Sequence, residues 1–277
     1  MNMKGRLFST VLQYMTQTEG ISTISNTDAD GILCTALDIG QLLLKSGGEI
    51  FRVEDTIERI CKAYGAEHVE VFCLTSFLTA AIRMPNGQYS TQSRRVRESA
   101  NHMYRIELVN SLSREICQKP VELPAVQERI RQIKKSVPYP KWIYILAAML
   151  GAGMYCMFFG GTWRDFVACA PISAIMMAFS LYKPDFVRSS AEVFINSIVA
   201  GFLSHLLVIA GLGINIDKIM IGTIMILIPG LSFGISLRDL ICDDTLSGTI
   251  RLIQALKLAI IIAVGYGISI LTLGGFV

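Results

Sequence analysis

Nineteen consecutive residues without a charge, Ile219 to Leu237, constrain this chain more than any other stretch. As a helix rising about 1.5 Å per residue they would cross a hydrocarbon core of about 30 Å. Yet Pro229 and Gly230 stand in their middle. Proline has no N–H for the carbonyl of Met225, its ring crowds that turn, and Gly230 does nothing to stiffen the backbone beside it. In lipid a freed carbonyl is costly, so a break survives where neighbouring helices, a hydroxyl such as Ser232, or a water-filled cavity supplies partners. Two readings stay open: an ordinary proline kink, and the interrupted helix from which many transporters build a substrate site.

Four further charge-free stretches are long enough to cross, about 142–161, 166–182, 193–216 and 258–277. Charges are segregated away from them: residues 1 to 141 hold 18 of the 25 Lys+Arg and 15 of the 22 Asp+Glu. With 52% hydrophobic and only 17% charged residues, this is the balance of a membrane protein. Lys134, Lys135, Lys141, Lys183, Arg188, Arg238, Arg251 and Lys257 flank one side of the spans, against Arg164 and Lys218 on the other. That bias predicts an α-helical integral membrane protein of five transmembrane helices, N-in and C-out, with loops at 183–190 and 238–257 on the cytoplasmic side. An N-terminal cytosolic α+β domain over 31–137 precedes the membrane domain of 138–277. Residues 1–30, rich in Thr, Ser, Asn and Asp and lacking the apolar core of a signal peptide, read as a flexible leader.

Thr27 or Asp28 can cap a helix over about Asp30 to Lys45, ended by Gly47-Gly48. A second helix, about Glu49 to Tyr64, has Val53, Thr56, Ile57, Ile60, Cys61 and Tyr64 at helical spacing, with Asp55/Arg59 and Glu58/Lys62 as i, i+4 pairs on its polar face. After Gly65 the period changes to two, with Val69, Val71 and Cys73 on one side and His68, Glu70 and Phe72 on the other, so strands begin here; further strands over about Phe77 to Met84 and Gln88 to Arg94 are joined at Pro85-Asn86-Gly87, where Asn-Gly accepts the positive φ of a tight turn. Helices return over about Glu98 to Cys117, with Tyr104, Leu108, Leu112 and Ile116 in one row, and after Pro124 to about Ser136.

The chemistry is sparse. Seven cysteines are scattered with no CxxC and no histidine at metal-ligand spacing, so no metal site and no cofactor is expected. There is no G-x-S-x-G and no phosphate loop, and catalysis is not expected. A net charge of +3 over 277 residues implies no nucleic-acid surface. The basic run Arg94, Arg95 and Arg97 reads as a solvated face or a contact to lipid phosphate. In the third span Asn196, Ala200 and Ser204 share a face, and His205 lies near mid-membrane, where an ionisable group is a functional candidate set against a histidine hydrogen-bonded neutrally between helices. Arg238 and Asp239 end the fourth span as a gate, a relay or an interfacial ion pair. Small residues at Ala255, Ala259, Ala263 and Gly267, and at Ala147 and Gly151, form stripes on which a helix can lie, in this chain or in another copy or subunit.

Three stretches, SGGEIFRVEDTIERICKAYG (Ser46 to Gly65), RRV with VNSLSR (Val109 to Arg114), and IPGLSFGISLRDLICDDTLSG (Ile228 to Gly248), resemble the threonine/serine exporter family. Full-length members are similar in having this amino-terminal domain followed by about ten spans. The chain resembles their split form, in which a second multi-span membrane subunit supplies the other half, and one split pair is associated with succinate export. The resemblance implies a secondary exporter of small polar metabolites in the bacterial cytoplasmic membrane, driven by the proton gradient. It points to Pro229, Gly230, Arg238 and Asp239 in the membrane and to Gly47, Arg52, Glu54 and Arg59 in the amino-terminal domain; Ser232, Asn196 and His205 join the candidates from their own polarity within the spans. A hydrolase-like amino-terminal domain and a regulatory, non-transporting subunit are the alternatives.

Overall fold

The computed structural model describes residues 29–97, 101–184, 187 and 189–273. Most of the expected leader, the caps at Thr27 or Asp28, the helix start at Glu98, Arg188, and the end of the last span beyond 273 lie outside the described residues.

The amino-terminal domain is built around its first helix, α1 (Ala29–Lys45), which is buried at eleven of its 17 positions. The burial follows from its surroundings, since α1 packs against helices and strands on different sides. These are α2 (Ile50–Ala63), β2 (Phe77–Arg83), β3 (Tyr89–Arg95), and the pair α3 (Met103–Gln118) and α4 (Leu123–Lys135). Helix α2 buries Val53, Ile57, Ile60 and Cys61, the stripe its spacing predicts, and keeps the Asp55–Arg59 and Glu58–Lys62 pairs outside. Strand β1 (His68–Leu74) pairs antiparallel with β2, and β2 with β3, giving the order β1-β2-β3. The turn between β2 and β3 places only Gly87 at positive φ, 84°. Asn86 instead uses its side chain, whose Oδ1 accepts from Gln88 N at 3.0 Å. Helix α3 runs from Met103 and turns Val109, Leu112, Ser113 and Ile116 inward; Tyr104 is exposed.

Six helices form the second half: α5 (Lys141–Phe158), α6 (Trp163–Tyr182), α7 (Ser189–Ile209), α8 (Ile216–Leu227), α9 (Gly230–Ile241) and α10 (Thr245–Leu273). Four of them are long and apolar enough to cross a membrane, five spans if α8 and α9 count as one, and the chain is a multi-pass membrane protein. Each of the four buries only 22–33% of its apolar window within the chain, so most apolar side chains point outward, as lipid-facing helices require. Lys141 lies over the Tyr182 ring at one end of the bundle, and Trp163 stacks on Phe166 at the other, aromatic positions suited to membrane borders.

Two expected boundaries move. The third span ends at Ile209 rather than 216, because Gly211 takes a positive φ of 76° and the chain turns through a loop to Asn215. The last helix begins at Thr245, not 258, and absorbs most of the loop expected over 238–257. Nothing between Thr245 and Lys257 breaks a helix, and Gly248 lets this first part lie on α9, where a Cβ would stand 2.8 Å from Leu240 Cγ. The true loop is Cys242 to Asp244, with Asp243 at φ 67°. Further along, Gly265 brings α10 against α7, since a Cβ there would stand 2.5 Å from that of Ser197. The stripe expected at Ala255, Ala259, Ala263 and Gly267 is used only at Ala255: Ala259 and Ala263 are exposed, and a Cβ on Gly267 or Gly151 would touch nothing.

Candidate functional site

The charge-free stretch that begins at Ile219 is indeed interrupted. Helices α8 and α9 meet at Ile228-Pro229 with a bend of 56°. Pro229 stands before α9 with φ −78° and ψ 53°, outside helical geometry, and Gly230 N is turned back onto Ile228 O at 2.8 Å. At 12 residues α8 is about 18 Å long, too short to cross alone. Pro229 and Ser232 line a cavity of about 850 Å³ whose other wall is the amino-terminal domain, where Asn101 Nδ2 comes within 3.5 Å of Ser232 Oγ.

Helices α9 and α10 form a hairpin that carries the domain. Asp239 on α9 is buried beside the partly buried Arg251 on α10, whose Nε lies 3.4 Å from Asp239 Oδ2. Arg251 Nη2 also donates to the Gly48 carbonyl at 2.8 Å. Arg238, one residue before Asp239, reaches Glu49 at the start of α2, which Arg52 also approaches at 3.6 Å. The two motifs that the sequence singles out, some 190 positions apart, therefore meet: Gly48 and Glu49 from one, Arg238 and Asp239 from the other. Gly47 supports this turn at φ 89° and lines the cavity. His102 N donates to Ser46 O at 3.0 Å, tying the start of α3 to the same turn.

Glu54 lies one helical turn further along α2 and accepts the Cys73 amide at 2.8 Å, which fixes β1 to α2. Burial raises its carboxyl above the ordinary range; the Cys73 amide opposes this and the nearby Asp244 of the hairpin loop adds to it. Cys73 and Cys61 are pushed up to about 12 by burial, so neither thiol offers a nucleophile near neutral pH. His68 pairs with Glu70 on an exposed strand. Among the described residues no group of three His, Cys, Asp or Glu could hold a metal.

The remaining candidates lie elsewhere. Arg59 is on the exposed face of α2, bound to Asp55 at 2.7 Å. Asn196 is buried between α7 and α6 and donates to Ser180 Oγ at 3.3 Å. His205 is buried with Nδ1 2.9 Å from its own helix's Gly201 carbonyl, a local arrangement away from the cavity.

Several residues at the junction carry no strong signal in the sequence. Glu49 and Gly48 sit inside the first motif, and membership of that motif was the available signal. Arg251 figures only in the orientation bias, and Lys45 and Arg105 in nothing specific. Arg95 and Arg97 of the basic run line the cavity, while Arg94, on the opposite face of β3, lies 3.4 Å from Asp38 of α1.

The family model for threonine/serine exporters matches residues 35–273. A protein of Mycobacterium tuberculosis named "Probable threonine/serine exporter" is 22% identical over 244 residues, 86% of this chain and 46% of its own length, so the chain spans about half of that relative. A protein of Klebsiella aerogenes named "Probable succinate transporter subunit YjjP" is 22% identical over 230 residues, 80% of this chain and 86% of its own length. No solved structure matches the chain.

Proposed function

Because the chain belongs to the threonine/serine exporter family, we propose that it works as one subunit of a secondary exporter of small polar metabolites, of the threonine and serine or the succinate kind. In this reading residues 1–30 are a leader, 31–137 a cytosolic domain, and 138–277 a domain of five spans in a bacterial cytoplasmic membrane. The proton gradient drives export, with Asp239 as the proton-linked or gating carboxylate and the break at Pro229-Gly230 coordinating substrate.

The observation that carries the proposal is the meeting of the two motifs over the cavity: Glu49 on Arg238, Gly48 on Arg251, and Asp239 buried beside Arg251. An interrupted helix with an ionisable pair at its end is the kind of place where transporters bind cargo and ions. Two observations support a second membrane subunit as partner. One relative is named a subunit, and among the described residues no helix fills the faces at Ala259, Ala263 and Gly267 or at Gly151.

The test is efflux of labelled threonine, serine and succinate from cells expressing this chain, its partner, or both. Export is expected only with both, and Pro229→Leu at normal expression should abolish it. Export undiminished in both Pro229→Leu and Asp239→Asn would remove the proposed site; export by the partner alone would make this chain regulatory.

A further inference from the structure

The cavity between the amino-terminal domain and the bent helix pair has a one-sided charge. Lys45 at the end of α1, Arg95 and Arg97 at and after the end of β3, Arg105 on α3 and Arg251 on α10 all line it, and its described lining includes no carboxylate. Two of these cations have protein partners. Arg251 is beside Asp239 and bonded to the Gly48 carbonyl, and Arg105 donates to the Lys134 carbonyl at 3.0 Å. For Lys45, Arg95 and Arg97, no acidic group among the described residues lies within ion-pairing distance. The contrast with Arg94 is instructive: alternation along β3 turns it to the other face, where it has Asp38. Cations from four separate elements gather around one space, and three of them have no carboxylate partner among the described residues.

We propose that this cavity is an anion-binding vestibule, in which Arg97, Arg95 and Lys45 hold a small dicarboxylate beside the break at Pro229 and Ser232. The assignment rests on the exporter reading and sharpens it, because the site discriminates by charge. Like charges held close repel one another, and a ligand with two carboxylates relieves that repulsion while accepting forked hydrogen bonds from the guanidinium groups. A zwitterionic amino acid brings one carboxylate and an ammonium. The ammonium would face the same cations and find only hydroxyl, amide and carbonyl oxygens to receive it. At about 850 Å³ the space admits a four-carbon diacid with its water. His102 stands at the same wall; burial first, and Arg105 second, hold its pKa below the ordinary histidine value, so near neutral pH it adds no sixth charge and keeps a ring nitrogen for hydrogen bonding.

The same cations could meet a lipid phosphate, so the test separates the sources. The full chain is purified and placed in nanodiscs of neutral phosphatidylcholine, and binding of labelled succinate and of labelled threonine is measured at low and moderate salt. Succinate is expected to bind at least tenfold more tightly than threonine, to weaken as salt rises, and to lose roughly tenfold in affinity in each of Arg97→Gln and Arg95→Gln, with a smaller loss in Lys45→Gln. Thermal unfolding of the variants shows that they remain folded. Threonine bound as well as succinate, succinate not bound, or affinity unchanged in folded Arg95→Gln/Arg97→Gln would each overturn the proposal. So would loss of succinate binding in nanodiscs containing phosphatidylglycerol, since the vestibule would then be a lipid headgroup site. Binding is read without efflux. Succinate bound as expected but exported by no combination of subunits would leave the vestibule standing and defeat the exporter reading; threonine export unaltered in the arginine variants would do the reverse.

Discussion

Among the described residues of the helical half two carboxylates are buried, and they are treated in opposite ways. Asp165, in the first turn of α6, accepts from Thr162 N, Thr162 Oγ1, Ile214 N, Asn215 N and Asn215 Nδ2, all within 2.7–2.9 Å. Both of its oxygens have donors, and its partners close the loop between α7 and α8 onto the start of α6. Asp239, near the end of α9, is equally hidden, but its Oδ2 has an arginine at 3.4 Å and no hydrogen bond. A satisfied carboxylate is a rivet. One whose hidden oxygen has only an arginine 3.4 Å away is held by fewer bonds and depends on that arginine staying in place. The difference separates the end of the bundle that is locked from the end that carries the domain.

The comparison can be broken at either end. Asp165→Ala should do most damage to folding: it orphans several buried donors, a loss on the order of 3 kcal/mol or more, read as a collapse of membrane expression and thermal stability in detergent. If Asp165→Ala unfolds no earlier than wild type, the rivet description is wrong. Asp239→Asn keeps the shape and removes the charge; Arg251 loses its carboxylate but keeps the Gly48 carbonyl, so stability should fall by about 1–2 kcal/mol, less than in Asp165→Ala, while export falls at least tenfold. A stability loss as large as that of Asp165→Ala would make Asp239 structural too. A double-mutant cycle between Glu49→Gln and Arg238→Gln should give a coupling below about 1 kcal/mol, because the Arg238 side chain is 54% exposed and solvent screens the pair. A much larger coupling would mean that the domain is clamped to the hairpin rather than resting on it.

The smallest effect expected is at Glu54. Its raised pKa means that the native state holds the proton to higher pH than the unfolded chain does, so this group's contribution is fully present below its ordinary value of 4.5 and is lost as pH rises through the raised value. Glu54→Gln should remove that slope, gaining well under about 1 kcal/mol at neutral pH and nothing at pH 4, by thermal melts at the two values. A Glu54→Gln variant less stable than wild type at neutral pH would show that the charged carboxylate's bond to the Cys73 amide outweighs burial.

Periodicity made much of this architecture legible. The stripe Val53, Ile57, Ile60 defines α2, the change to alternation after Gly65 marks the sheet, and Pro229 in an uncharged run marks the bend. What stayed hidden depends on distance in sequence. The polar stretch Thr245 to Lys257 reads as loop because its charges break an apolar run, although Arg, Leu, Gln and Lys are good helix formers; only packing of Gly248 on α9 reveals it as helix. The vestibule is assembled from residues as far apart as Lys45 and Arg251, each an ordinary surface cation on its own element. His205 illustrates the converse, a conspicuous residue at membrane depth whose ring reaches its own helix backbone.

Helix α10 runs unbroken for 29 residues, a rod about 43 Å long. Its first turns lie under the amino-terminal domain at Arg251, and its far end lies beyond the close approach at Gly265 and Ser197. The rod is held at several points: Gly248 lies on Leu240 of α9, Gly265 on Ser197, Ser269 against Gly201, and Tyr266 Oη 3.0 Å from Thr223 Oγ1 of α8. From Arg251 to Gly265 it runs about 21 Å, so one continuous helix joins the footing of the domain to the tight packing of α7 with no hinge between them.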